Sequence, residues 1–238
     1  LKSFPLVEKH KCLWIWLGDA AAADEKSIPD FSYHDDPAMR NVYGSSHVKC
    51  NYELITDNLM DLTHARFLHP IFGGDEWRPE VSFSQDDDVV YSHYRLPPYP
   101  ASPFADAIMP DAKGKKIVER EYMRWSAPSN MYLDIQFSLA EAPGENETPQ
   151  PSTHILTPET ETTTHYFWAS GIPRNSAMTD EEHYEGLRFA FDEEDAPVLE
   201  AVGQMMDGRD FWDLKPAILA YDQDRKSTRL NSSHVRLS

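Results

Sequence analysis

Cysteine is scarce: the 238 residues hold two, Cys12 and Cys50, with no paired ligand spacing. That excludes a disulfide framework and points to a reducing compartment, the cytoplasm by default. Cations are scarce too. Lys and Arg total 22 against 40 Asp and Glu, for a net charge of -18. Phosphate contacts need Lys and Arg, so this balance argues against a nucleic-acid partner and an anionic membrane surface; it serves solubility instead. No charged, apolar and small-residue leader stands at the N-terminus. "LWIWL", Leu13 to Leu17, is far too short to span a bilayer. What is present is a 40% hydrophobic share with 12% aromatics, enough for a buried core and an apolar pocket.

Periodicity predicts an α+β fold, a large antiparallel sheet with a few helices against it. "FPLVEKHKCLWIWLGD" reads as a hairpin turning at Lys9 to Lys11, and "AAAADEKSIPDF" as a linker or short helix. "HVKCNYEL", His47 to Leu54, is expected as a strand leading into a helix over Ile55 to Leu68. "EVSFSQDDDVVYSHYRL" is expected as two strands around an acidic turn. Pro97 to Pro110 is too broken for either period and is expected as a lid or loop over a pocket. "KKIVEREYMRWSA", "NMYLDIQFSLAEA" and "STHILTPETETTTHYFWAS" alternate as three further strands, with "GENETPQP" as a connection. "TDEE" from Thr179 is a capping box. It opens a helix whose stripe is Tyr184, Leu187, Phe191, Val198, Ala201 and Val202, interrupted at Pro197.

"DNLMDLTHARFLHP", Asp57 to Pro70, carries the chemistry. Two imidazoles and a carboxylate on one face of an iron leave open positions for oxygen beside a substrate. His64 and His69 are five residues apart, roughly 140° on an ideal helix, too wide for a shared ion. Either the helix bulges or ends between them, or they are not co-ligands; Pro70 supports an end there. Asp61 and Asn58 fall one and two turns before His64, and a carboxylate at Asp61 is placed to orient the ring. Solvent exposure of the whole stripe is the plainer alternative. A third ligand would come from "FDEEDAPVLEA". Spacing leaves Asp192, Glu193, Glu194 and Asp195 open, though Asp195 lies closest to the Pro197 break.

"NLMDLTHARFLH" resembles the mononuclear iron motif of Rieske-type non-haem iron aromatic oxygenases, of the vanillate O-demethylase type. "SFPLVEKHKCLWIWLGD", "THILTPETETTTHYFWA" and "FDEEDAPVLEAVGQMM" resemble three further blocks of that family in the same order. The resemblance implies a helix-grip (START-like) domain, a curved antiparallel sheet wrapping a long C-terminal helix. It implies Fe(II) held by His64, His69 and Asp195, with Asn58 near the iron. Asp61 becomes the bridge from a Rieske [2Fe–2S] cluster in a neighbouring subunit of a homotrimer. It also implies NAD(P)H-derived electrons through a reductase or ferredoxin. The reaction it implies is O2-dependent hydroxylation or O-demethylation of an aromatic methyl or methoxy compound; a methoxy carbon so hydroxylated would collapse to a phenol and formaldehyde.

His154 and His165 are candidate substrate contacts, and a satisfied strand histidine is the equal alternative for each. Trp125, Tyr132 and the proline-rich stretch are candidate lining. Cys-x-His and Cys-x-x-His pairs of a Rieske domain are missing, so residues 1–19 are expected to be the last strands after such a domain. Residues 20–223 are expected to be the iron domain. "DRKSTRLNSSHVRLS", 224–238, resembles a translated sequencing adapter and is expected to make no packed contacts. The rivals are a metal-free small-molecule carrier of helix-grip fold and a zinc hydrolase. The hydrolase ranks last for want of an H-E-x-x-H motif.

Overall fold

The computed structural model of the chain describes residues 3–71, 79–86, 89–209 and 213. The adapter-like stretch, 224–238, lies outside the described residues. Leu6–Lys9 (β1) and Cys12–Ile15 (β2) form the expected N-terminal hairpin. Its turn residues, His10 and Lys11, take φ of 55° and 60°, the left-handed conformation that two-residue hairpin turns use. The alanine run that follows forms short 3-10 turns at Ala20–Ala22 and Glu25–Ser27.

The main sheet has eight strands. They are Met39–Val48 (β3), Glu80–Asp86 (β4), Val89–Arg95 (β5), Tyr99–Pro100 (β6), Lys116–Ser126 (β7), Asn130–Leu139 (β8), Thr148–Thr160 (β9) and Thr163–Pro173 (β10). All pairs are antiparallel, in the order β3-β10-β9-β8-β7-β5-β4, and β6 pairs with β7. The helices are Tyr52–Met60 (α1), Ala65–Leu68 (α2), Pro103–Ile108 (α3), Asp180–Arg188 (α4) and Ala196–Met206 (α5). A π-helical turn, Phe189–Asp195, joins the last two. α1 packs on β7, β9 and α5, while α4 and α5 lie against β3. The core between them takes Ile55, Leu59 and Met60 from α1, Met123 and Trp125 from β7, and Tyr166 and Trp168 from β10. Among the described residues, no helix is long and apolar enough to cross a membrane. The α+β architecture, with its antiparallel sheet and long C-terminal helical stretch, is the expected one.

Several boundaries differ from expectation. The third long alternating segment is a hairpin, β9 and β10 paired across Thr160 and Thr163. It contains no Gly, Pro or Asn at the turn to mark it. β9 starts at Thr148, inside the stretch expected as a connection. The strand before α1 is Met39–Val48, not His47–Leu54. Its inward positions include Gly44 and Ser46, which break the apolar alternation. Trp168 explains both: its ring occupies the space a Cβ on Gly44 would need, and its Nε1 donates to Ser46 Oγ at 3.3 Å.

The capping box is as expected, with Thr179 and Glu182 satisfying each other's backbone N–H groups. The helical stripe is right as far as Phe191 and wrong beyond it. Leu199 is buried, while Val198 and Val202 are 44% and 41% exposed. The π turn causes this. Ala196 N–H bonds to Phe191 O, five residues back, so one extra residue is absorbed and everything after it shifts by one position.

Candidate metal centre and its cavity

The helix carrying the histidines breaks at Asp61, upstream of both. Met60 ends α1, and Asp61 takes φ -109° and ψ 86°. β5 fixes the break. Ser92 Oγ and Tyr94 Oη donate to Met60 O at 3.1 and 2.6 Å, and Leu62 N–H donates to Tyr94 Oη at 3.1 Å. Asp61 then caps a 3-10 turn, Leu62–His64. Its Oδ1 accepts from Thr63 N and Thr63 Oγ1 at 3.0 and 2.6 Å. The stripe of Asn58, Asp61 and His64 on one helix is therefore corrected, because a straight helix does not run through them. The orienting group on His64 is also corrected: Nδ1 donates to the main-chain carbonyl of Asp61 at 2.5 Å, not to its carboxylate.

α2 lasts one turn and ends at His69, whose N–H bonds to Ala65 O at 2.8 Å. The break and this early end bring the rings to a centroid separation of 5.2 Å, inclined at 79°. Asp195 approaches from the π turn. Its Oδ1 lies 3.6 Å from His64 Nε2 and 3.3 Å from His69 Nε2. One ligand atom from each of the three residues lies within 4.8 Å of the others. Glu194, the preceding residue, accepts from His69 Nδ1 at 2.8 Å. Both imidazoles thus have Nδ1 held by an oxygen and Nε2 turned to one carboxylate. This is how protein metal sites fix ring tautomer and direction. Asp195 Oδ1 is buried between the two Nε2 atoms without a hydrogen bond of good geometry to either, an arrangement that a shared cation would complete. Two imidazoles and a carboxylate suit a divalent transition metal and leave its other positions open.

Electrostatics separate the two rings. Burial holds His64 below the ordinary histidine range, against the pull of Asp195. Burial also pushes His69 down, but the hydrogen bonds and charges of Asp195 and Glu194 outweigh it and leave His69 raised.

A cavity with an empty volume of about 780 Å³, counting its mouth, opens over this group. Leu59, Leu62, Phe104, Met123, Leu133 and Phe137 supply apolar wall. The proline-rich stretch contributes Ser102 and Phe104 to the wall, but it is not the expected loop: it forms β6 and, capped by Ser102, the helix α3. His154 also lines it. Its Nδ1 pairs with Tyr166 Oη at 2.7 Å, and its buried Nε2 has no partner. Burial pulls His154 down to about 3, so the ring is neutral.

His165 does not line the cavity. On β10 the inward residues are Tyr166 and Trp168, so alternation turns His165 outward. There it pairs across the sheet with His47, and both approach Glu159, at 3.7 and 2.8 Å. This second group of potential ligands is solvent-exposed. Tyr132 also departs from expectation, packing near Phe31, Tyr33 and Arg124. Leu133 takes its place on the wall. Trp125 is buried in the core without lining the cavity. Asn58 is half-buried and likewise off the wall. Glu119, Glu121, Gln150 and Ser152 are site residues that the sequence reading passed over, and Glu194, one of the four acids left open as a ligand, holds His69 from behind instead. The signal for the glutamates was available: "IVEREYMRW" places Glu119 and Glu121 on the same face as Ile117, Met123 and Trp125.

Fold and site together define an oxygenase component. The chain belongs to the family of the vanillate O-demethylase oxygenase C-terminal domain, which matches residues 48–236. It is similar to the oxygenase component of dicamba O-demethylase from Stenotrophomonas maltophilia, at 35% identity over 94% of this chain and 67% of the relative. The structure of dicamba monooxygenase bound to 3,6-dichlorosalicylic acid superposes with a TM-score of 0.87. That match has 30% identity and covers 98% of this chain and 70% of the other. A second structure of that enzyme, with non-heme iron and dicamba, gives 0.77 at 29% identity, over 98% and 68%. The chain spans about two thirds of the length of the relatives it matches. Relatives that are oxygenase components fit the oxygenase reading and not that of a metal-free carrier.

Proposed function

We propose that this chain carries the catalytic iron domain of a Rieske-type oxygenase acting on a methoxy- or methyl-bearing aromatic compound. His64, His69 and Asp195 hold Fe(II). The observation that carries the reading is the buried Oδ1 of Asp195, set between two Nε2 atoms whose rings are anchored from behind. Iron, when bound, supplies dioxygen activation for insertion of one oxygen atom into a substrate carbon. The chain's own residues do the placing. Asp61 O and Glu194 fix the rings, and the apolar wall keeps water from the reacting carbon. Neutral His154 offers one ring nitrogen to a substrate group. Asn58 stands near the iron without binding it.

The sequence has no cysteine–histidine ligand pairs, so none of its residues holds a [2Fe–2S] cluster. We assign that cluster to polypeptide outside these residues, with Asp61 as the bridge toward His64. NAD(P)H as electron source through a reductase or ferredoxin, homotrimeric assembly and a cytoplasmic setting complete the reading. Metal analysis after anaerobic ferrous loading tests it. One iron per wild-type chain is expected, with near-total loss in His64→Ala and His69→Ala at unchanged secondary structure. Full iron in both variants would exclude the site.

A further inference from the structure

Two acids stand in a wall otherwise suited to apolar side chains. Glu119 and Glu121 project from the inward face of β7 and are 5% and 7% exposed. Both line the cavity that holds His64, His69 and Asp195. Tyr99 Oη donates to Glu119 Oε2. The two carboxyls stand close enough to perturb each other. Burial raises both carboxyls above the ordinary carboxylate range; Glu119 raises Glu121 further, while the contacts of Glu119 with Tyr99 and Glu121 offset part of its own rise. Glu121 Oε2 is left buried with no partner. Among the described residues, no Lys or Arg lines the cavity.

Such a pair works against folding. Apolar side chains of similar volume would pack the same wall without an unsatisfied oxygen. A ligand that brings a hydrogen-bond donor would complete it. A ligand that brings a carboxylate would add negative charge beside a buried acid pair with no cation to offset it.

We propose that the Glu119–Glu121 pair is the polar anchor for the substrate, selecting an aromatic compound with a neutral or cationic hydrogen-bond donor over an aromatic carboxylate. The donor is a hydroxyl, an amide N–H or an ammonium, placed away from the carbon that faces the iron site. The inference rests on the oxygenase reading and narrows its substrate class. It sets this chain apart from the family's namesake reaction, whose substrate, vanillate, is by name a carboxylate anion.

Three probes of equal ring and size test it by calorimetry on the purified chain at neutral pH: 4-methoxybenzylamine, 4-methoxybenzyl alcohol and 4-methoxybenzoate. The amine and the alcohol are expected to bind at least about tenfold more tightly than the benzoate, the worth of one good hydrogen bond. Glu121→Gln is expected to shrink that preference below about threefold, weakening the amine and admitting the benzoate, with iron stoichiometry unchanged. If Glu121→Gln does not fold, Glu119→Gln and the wild-type ranking decide. Tightest binding of the benzoate, or a ranking untouched by both substitutions, overturns the proposal. The readout does not depend on iron. A ranking that holds without iron uptake sinks the oxygenase reading and leaves the anchor; iron uptake without the ranking does the reverse.

Discussion

Each imidazole of the centre is held through its far nitrogen, and the two holders differ in how they can be tested. The Asp61 carbonyl belongs to the main chain and no substitution removes it. Glu194 is a side chain, so it can be removed. Glu194→Leu should leave His69 in place but untethered, weakening iron binding by about 10- to 100-fold. Glu194→Gln, which keeps an acceptor oxygen, should recover most of that loss. Competition with a calibrated chelator measures both; equal affinity in all three proteins would mean that Glu194 does not position the ring. Away from the centre, His183 is buried against Ser170 Oγ at 3.1 Å, and burial lowers it to about 4. As pH falls below about 6.5, the unfolded chain takes up a proton that the folded ring refuses, so stability drops between about pH 6.5 and 4. Between pH 7 and 5, His183→Gln should lose on the order of 2 kcal/mol less stability than wild type, read from urea denaturation. Parallel pH profiles would contradict that.

Two irregular elements, the break at Asp61 and the π turn, build the centre. Deleting Glu193, which is exposed, should let the turn relax to regular α-helix. Asp195 would then rotate by about 100° away from the histidines. The expected outcome is loss of iron with helical ellipticity retained, and a deletion variant that binds iron normally would show the π turn to be incidental. At the β3–β10 pairing, Gly44→Ala forces a Cβ into the Trp168 ring and should cost about 1–3 kcal/mol in urea denaturation.

The same elements mark what the sequence could and could not reveal. The N-terminal hairpin, the Thr179 capping box and the β4–β5 hairpin follow from local rules, and those rules held. The end of helix at His69 was legible in Pro70. The break at Asp61 was not, because Ser92 and Tyr94 impose it from a distant strand. Spacing alone did not choose Asp195 from four neighbouring acids, since a one-residue shift in the π turn decides which acid points inward. β3 was misplaced because Trp168, far along the chain, makes Gly44 and Ser46 proper inward residues.

At the scale of the whole molecule, we infer that the chain supplies a substrate cavity and a metal centre, with the redox cluster outside its residues. In a version fused to a relative's Rieske domain and supplied with a reductase, Asp61→Asn should retain iron and keep the Thr63 cap. It should lose coupled turnover, measured as product formed per NADH consumed. Undiminished coupling would remove Asp61 from the electron path. All of this depends on His64, His69 and Asp195 sharing one ion. The most direct measurement is anomalous diffraction at the iron edge from crystals grown with ferrous ion under anaerobic conditions. The account predicts a single strong peak per chain, bonded to both Nε2 atoms and an Asp195 carboxylate oxygen. A peak elsewhere, such as at His47, Glu159 and His165, or none at all, would contradict it.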